Sequence, residues 1–406
     1  MKILYIHQYF KTPDEGGSIR SYYLAKGLVD NGYSVEMVTS WNEKFYRSEA
    51  IDGIKVHYLP VYYDNHLGFG QRIKAFGKFV YHACKLIPKL EKPDVCYAMS
   101  TPLTVGLIAL WVKVRLHIPY YFEIGDLWPA APIQMGFIRN RLVKQMLYAL
   151  ERKIYQDADK IIAMSPGIRD HVEAVVPNKD VYLIPNMSDC SFFQMECKEE
   201  SHEILFDVKD TFVVTYMGAA GRANHLEYLL DAAISCQTQR APVRFLVVAY
   251  GSELDRIKRI SEAKKISNIT FLPYQSKEGL KKILNITDAV YISYAPAPVL
   301  QTGSPNKFFD GLAAGKLIIL NNSGWLREIT ELNKCGFYAD PHKPETFVEK
   351  LMPFIKDRNL LFSYQKSARS VAEHYYSKDL QIQKLLKVFN KNHEMKIKES
   401  ACTSTS

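Results

Sequence analysis

The segment QTGSPNKFFDGLAAGK, residues 301–316, is the richest in chemically useful side chains. Gly303, Ser304 and Pro305 lead into a predicted helix whose first turn holds Asn306 and Lys307. Free backbone amides, a helix dipole and an ammonium together suit a diphosphate. Asp310 follows Lys307 by one turn, where a carboxylate can accept hydrogen bonds from vicinal hydroxyls such as those of a ribose. A capped surface helix with Asp310 paired to Lys307 would explain the charges, but not the run of small residues behind them.

Two further turns have the same character. Met217-Gly218-Ala219-Ala220-Gly221-Arg222 follows a predicted strand and opens a helix, so its amides favour an anion and Arg222 can clamp a phosphate. It matches neither the dinucleotide fingerprint G-x-G-x-x-G nor a phosphate loop ending in Gly-Lys-Ser/Thr. Thr12-Pro13-Asp14-Glu15-Gly16-Gly17-Ser18 follows the first strand, and the glycines Gly16 and Gly17 allow close backbone approach. A plain strand-to-helix turn explains that segment equally well. Asp157-Ala158-Asp159 has the form of a carboxylate metal motif but stands where a helix ends and a strand begins. No His, Cys or carboxylate cluster has metal spacing, so no metal is expected. Charge on a leaving diphosphate falls instead to Arg222, Lys307 and helix dipoles.

These turns need elements to hold them. KILYIHQYF, SVEMVTS, IKVHYLPV, DVCYAMS, YYFEIGD and KIIAMS read as strands alternating with helices over IRSYYLAKGLVDNG, from about Gln71 to Leu90, from about Leu103, and from about Asn140 to Tyr155. The pattern restarts with FVVTYMG, LEYLLDAAISC, RFLVVAYG, ITFLPY, AVYISY and KLIILNN. The break lies near Ile184-Pro185-Asn186 and the polar stretch from Met195 to His202. The expected fold class is therefore α/β, with two doubly wound Rossmann-like halves facing across a cleft. The expected division is 1–190, 191–370, a helical region over 371–395 packing back on the first half, and a frayed polar tail over 396–406.

Composition agrees with two cores. The chain has 406 residues, 47% of them hydrophobic, and a formal net charge of +9. Seven cysteines without a C-x-x-C pair suggest buried thiols rather than disulfides or a zinc ribbon. The start, MKILYIHQYF, reads as fold rather than a secretory leader, and PLTVGLIALWVKVRLHIPYYF carries too many charges to span a bilayer. A cytoplasmic protein is expected, and the sequons at Asn186, Asn268 and Asn285 read as coincidence. Between Arg72 and Lys153 stand thirteen Lys/Arg against five Asp/Glu. No nucleic-acid motif accompanies this excess, so nucleic acid is not an expected partner. In QRIKAFGKFVYHACKLIPKL, Ile73, Phe76, Phe79, Val80, Cys84 and Ile87 fall at helical spacing with Arg72, Lys74, Lys78, Lys85 and Lys89 on the flanks. Such a helix either packs on its own sheet or lies in the interface of an anionic membrane, and peripheral, salt-sensitive attachment of the basic first half to an anionic membrane surface is the expectation.

The two-half layout, IPN at 184–186, GxxGR at 218–222 and SPNKFFDGLAAGK at 304–316 together resemble the retaining GT-B glycosyltransferases with a Glu-x7-Glu motif. EIGDLWP at 123–129 followed by SPNKFFD is similar to bacterial members that build capsule, O-antigen and other surface polysaccharides. The resemblance covers nearly the whole chain. It implies sugar transfer from a nucleotide-diphosphate donor, with a UDP-sugar as co-substrate and no separate cofactor. It also implies a glycan or lipid-linked acceptor held by the first half, on the inner leaflet of the plasma membrane.

Carried over by that resemblance, Asp310 holds the donor ribose. Thr302 stands where the family has its first motif Glu, leaving the amides of Gly303 and Ser304 to hold the donor sugar. Arg222 is kept from the family's Arg and Lys pair, while the Lys position is Glu227 and Lys307 is the replacement. Gly16, Gly17, Gly218, Gly221, Tyr274 and Asn306 complete the donor set. The family's His-Asp pair appears as Gly125-Asp126, so Asp126, with Glu123, lines the acceptor side; Glu123 serves equally as a buried carboxylate holding a loop. The rival readings are a sugar-nucleotide 2-epimerase, against which Thr302 and Gly125 argue, and an inactive GT-B binding protein, against which Asp310, Lys307 and Arg222 argue.

Overall fold

The computed structural model describes residues 1–17, 19–64 and 67–403. Ser18 of the Gly-Gly turn and the last three residues of the tail lie outside them. The first sheet has eight strands: β1 (Lys2–Ile6), β2 (Ser34–Trp41), β3 (Arg47–Ile51), β4 (Ile54–Pro60), β5 (Val95–Ser100), β6 (Tyr120–Ile124), β7 (Lys160–Ala163) and β8 (Val181–Leu183). Their order is β3-β4-β2-β1-β5-β6-β7-β8. All neighbours are parallel except β3 and β4. Every residue of β5 and β6 is buried, as expected for parallel strands covered on both faces.

The second sheet has β9 (Phe212–Ala219), β10 (Val243–Tyr250), β11 (Ile269–Leu272), β12 (Ala289–Ile292), β13 (Leu317–Leu320) and β14 (Gly336–Tyr338). All are parallel in the order β11-β10-β9-β12-β13-β14. The order in which strands are added reverses once in each sheet, between β1 and β5 and between β9 and β12. The Gly-Gly turn follows β1, the GxxGR turn closes β9, and the SPNK turn follows β12. All three candidate turns thus stand at carboxyl ends beside a reversal, where open α/β sheets bind ligands.

Residues 184–195 carry the chain between sheets, and the last helix returns. It spans Lys378–Thr403, past the expected end of the helical region at 395 and into the segment read as frayed. Leu385, Val388 and Phe389 of this helix are buried in the core of the first half. The Phe389 ring lies 5.1 Å from Tyr121, and Lys160 Nζ donates to the Val388 carbonyl at 2.5 Å.

Two sequence expectations need correction. The expected strands do not include β3, β8 or β14; the polar sequence RSEAI hides β3, although Asp52-Gly53, both at positive φ, is a strong hairpin signal, and β8 and β14 are only three residues long. The basic helix spans Phe69–Leu86, and Phe76, Phe79 and Ile87 are buried in its own domain. Most of its apolar stripe is therefore core, although Ile73 is 46% exposed, and Lys74, Lys78, Lys85 and Lys89 face water. Among the described residues no helix is long and apolar enough to cross a membrane.

Candidate active site

The two halves touch through the turns already singled out. Gly16 and Gly17 adopt φ of +67° and +83°. A Cβ at Gly16 would overlap the Tyr274 hydroxyl, which donates to the Glu15 carbonyl at 2.6 Å. Only glycine allows both the left-handed backbone and this approach. Asn306 Nδ2 donates to the Gly17 carbonyl at 3.3 Å, joining the SPNK helix to the same loop. One pocket between the halves is lined by Gly16, Gly17, Asn186, Lys277, Asn306 and Asp310, among others.

Asp310 faces this pocket from the helix Asn306–Ala313. Burial pushes its carboxyl up to about 7, the Asp189 charge adding to the rise and nearby Lys277 opposing it. Lys307, on the same helix, turns instead toward β9. Its ammonium donates to the Tyr216 hydroxyl at 2.8 Å and lies 4.0 Å from the Tyr216 ring centroid. Gly218, at φ +134°, opens the space: a Cβ there would stand 3.1 Å from Lys307 Cε. Loss of water lowers the Lys307 ammonium to about 7. Its side chain thus packs against Gly218 of the GxxGR turn.

Arg222 projects from that turn to the opposite half, its guanidinium 5.7 Å from the Phe137 ring centroid. Gly221 precedes it as a turn residue, where a Cβ would meet Asn224 Oδ1 at an ordinary contact distance of 3.8 Å. Glu227, at the position where the resemblance expects a lysine, is paired with Arg256.

The Thr302 hydroxyl donates to the Val299 carbonyl at 2.8 Å, within the short turn Pro298–Thr302. A Cβ on Gly167, in the first half, would stand 2.8 Å from Thr302 Cγ2, so the halves are close here too. Ser304 is largely spoken for: its hydroxyl accepts from Asn186 N at 3.1 Å, and its carbonyl accepts from Asn186 Nδ2 at 3.2 Å. Asn186 Nδ2 also reaches Asn306 Oδ1. The Gly303 carbonyl accepts from Trp325 Nε1 at 2.9 Å, which fixes the loop from behind.

On the other side of the cleft, Asp126 is reachable by solvent, although protein atoms crowd its carboxyl. That crowding raises its pKa, and a hydrogen bond with Thr101 acts against the rise. Its charge in turn adds to the raised pKa of Tyr294, which burial causes first. Asp126 of one half and Tyr294 of the other therefore share an environment.

Glu123 does not line the cleft. It is fully buried, bonded to Arg20 Nε at 2.5 Å and to the Tyr97 hydroxyl. Arg20 also donates to the Pro185 and Ile184 carbonyls at 2.6 and 2.9 Å. A carboxylate inside a fully buried strand needs such a partner, and here the pair holds the crossover between the halves. Asp157 and Asp159 stand at the amino edge of the first sheet, opposite the cleft. Asp157 pairs with Lys153, and Asp159 Oδ2 accepts from Tyr120 N and Lys113 Nζ, both at 3.0 Å. Among the described residues no group of His, Cys, Asp or Glu is arranged to hold a metal.

Sequence reasoning missed Asp189, Lys277, Tyr23 and Lys378. Asp189 Oδ1 accepts from Lys378 Nζ at 2.9 Å, and its Oδ2 from the Tyr23 hydroxyl at 2.7 Å and from Lys277 Nζ. They lie far apart in sequence and carry no local signal; only the position of Asp189, three residues after IPN, hinted at a role.

Residues 15–187 match the glycosyl transferase 4-like domain family, and residues 198–371 match the glycosyl transferases group 1 family. A protein of Escherichia coli strain K12 named for colanic acid biosynthesis, the glycosyl transferase WcaI, is 24% identical over 245 residues. That alignment spans 58% of this chain and 58% of the relative. Among solved structures, sucrose-phosphate synthase from Thermosynechococcus elongatus is similar, with TM-score 0.77 and 16% identity, covering 97% of this chain and 99% of that one. HepE of Anabaena, solved in complex with UDP-glucose, has TM-score 0.69 and 16% identity, covering 96% and 100%.

Proposed function

We propose that this chain, which belongs to the GT-B glycosyltransferases, moves a sugar from a UDP-sugar to a glycan acceptor with retention of anomeric configuration. The observation that carries this reading is the pocket where the Gly16-Gly17 loop of one half meets Asn306 and Asp310 of the other. Asp310 takes the donor ribose. The GxxGR turn, Arg222 and the underlying Lys307 take the diphosphate, and the loop at Gly303 and Ser304 faces the sugar. The complex of HepE with UDP-glucose supports the donor class.

In the reaction the anomeric carbon–oxygen bond to the diphosphate breaks as the acceptor hydroxyl oxygen approaches the same face. The leaving diphosphate is stabilised by Arg222, Lys307 and the helix N-terminus, and accepts the hydroxyl proton. Asp126 belongs to the acceptor side, with the first half as acceptor domain and residues 191–370 as donor domain. The likeness to WcaI, named for colanic acid biosynthesis, supports a polysaccharide product; on this reading the acceptor is lipid-linked and meets the enzyme at the cytoplasmic leaflet.

The test is a thermal-shift screen of UDP-, GDP- and ADP-sugars, since a ligand that binds only the folded state raises its stability. Stabilisation by a UDP-sugar, lost in Asp310→Ala, is the expected result. A shift by none of the three, or an unchanged shift in Asp310→Ala, would refute the donor site. The anomeric configuration of the product, read by proton NMR, tests retention separately.

A further inference from the structure

Tyr294 follows β12 and stands between the two turns of the second half that open onto the cleft. Its N–H donates to Asn321 Oδ1 at 2.9 Å, and its carbonyl accepts from Asn321 Nδ2 at 3.2 Å. The next residue, Ala295, donates its N–H to the Ala223 carbonyl at 2.8 Å, which ties this backbone to the GxxGR turn. Asn321 is buried just after β13, and its amide is spent on the main chain beside it. Tyr294 therefore has a rigid mount. Its hydroxyl reaches the other turn: a Cβ on Gly303 would stand 3.1 Å from it. Gly303 has φ −59° and ψ 152°, which any residue adopts, so it is space rather than backbone that calls for glycine there.

The surroundings place this hydroxyl between the two reacting sides. Burial raises the Tyr216 pKa and Tyr294 adds to that rise, so the two phenols are neighbours, and Tyr216 is the partner of Lys307. Asp126, from the first half, is close enough to act on Tyr294 in the same way. Tyr294 is partly exposed, and among the described residues no hydrogen bond occupies its hydroxyl. Thr302 is placed differently. Its one hydroxyl proton goes to the Val299 carbonyl, and its methyl group points at Gly167.

We propose that the Tyr294 hydroxyl holds the donor sugar, filling by a hydrogen bond the role that Thr302 leaves open. This role rests on the proposed donor site, in which the loop at Gly303 and Ser304 faces the sugar. A phenol both donates and accepts, so it can bond a sugar hydroxyl in either sense. It adds no charge beside the diphosphate, because its burial keeps it protonated. Gly303 then has two tasks: it brings the loop close to the sugar, and it leaves room for the hydroxyl that meets it.

Calorimetry of the full chain with UDP, UDP-glucose, UDP-galactose and UDP-N-acetylglucosamine tests this. Tyr294→Phe keeps the ring and removes the hydroxyl. It should lower affinity for the best-bound UDP-sugar roughly tenfold and leave affinity for UDP as it is. Gly303→Ala, whose methyl group would crowd the hydroxyl, should show the same selectivity. A merely structural role for Tyr294 would weaken UDP and UDP-sugar alike, and that result would overturn the proposal. So would a Tyr294→Phe variant that binds the UDP-sugar like the parent, or a selective loss of the sugar in Thr302→Val but not in Tyr294→Phe. Intact UDP binding in these variants assigns the failure to Tyr294 alone. A parent that binds neither UDP nor any of the three sugars refutes the donor site itself and this contact with it.

Discussion

Lys307 and Asp310 sit one turn apart on the helix Asn306–Ala313, and burial drives their pKa values toward each other, both to about 7. The cause is the same for both: loss of water disfavours whichever form is charged. The consequences for donor binding are opposite. A diphosphate favours protonated Lys307, so affinity should fall as pH rises above about 7. Ribose hydroxyls donate best to ionised Asp310, so affinity should fall as pH drops below about 7. Donor affinity by calorimetry should therefore trace a bell centred near neutrality. Lys307→Met should remove the alkaline limb and Asp310→Asn the acid limb; a parent profile flat from about pH 5.5 to about 9 would contradict both assignments. Arg222 is a different case, because solvent reaches its guanidinium. Arg222→Ala should weaken donor binding roughly tenfold, near the lower end for a charge-assisted phosphate contact, without shifting the bell.

Among the elements, Asn186 has an influence that its single side chain hides. It fastens the crossover between the halves to Ser304 and Asn306, so it sets where the SPNK helix begins. Asn186→Ala should lower the melting temperature and donor affinity together, whereas Ser304→Ala, which breaks one of these bonds, should do less. Equal melting temperatures for Asn186→Ala and the parent would deny the clamp. This also shows what the sequence could and could not convey. The inner strands of both sheets and the three turns at their reversals were legible, because parallel strands announce themselves as short apolar runs and turns as glycines; the edge strands β3, β8 and β14 were not. Glu123 was read as an equal choice between cleft and core; its partner Arg20 lies 103 residues away. The Phe69–Leu86 stripe was ambiguous because helical periodicity names a buried face without naming what buries it. Asp157 and Asp159 had the spacing of a metal motif, yet they stand at the amino edge of the sheet, bound to Lys153 and Lys113. Transfer should accordingly survive EDTA, and loss of activity restored by magnesium or manganese would contradict that expectation.

For the whole molecule, the question is what makes two sheets behave as one body, and Asp189 is central to it. Its carboxylate receives Tyr23 from the first half, Lys277 from the second and Lys378 from the start of the returning helix. Burial alone would raise its pKa, but the hydrogen bonds from Lys277 and Lys378 prevail and hold it well below the usual carboxylate range. Because the folded value lies below the unfolded one, this stabilisation is present above about pH 4 and is lost as pH falls further. The neutral variant Asp189→Asn should imitate acid at pH 7. It leaves Lys277, largely buried, without its carboxylate, at a cost on the order of 3 kcal/mol. The same residue joins two halves that have their own cores, and the start of the helix that returns to the first, so the loss should be one of coupling as well as of stability. In scanning calorimetry the parent should unfold in one transition, and Asp189→Asn should unfold earlier and split into two. The returning helix should then separate with the first half, since Leu385, Val388 and Phe389 belong to that core. An unsplit transition at the parental temperature would mean that the interface around Gly16, Tyr274 and Asn306 couples the halves unaided.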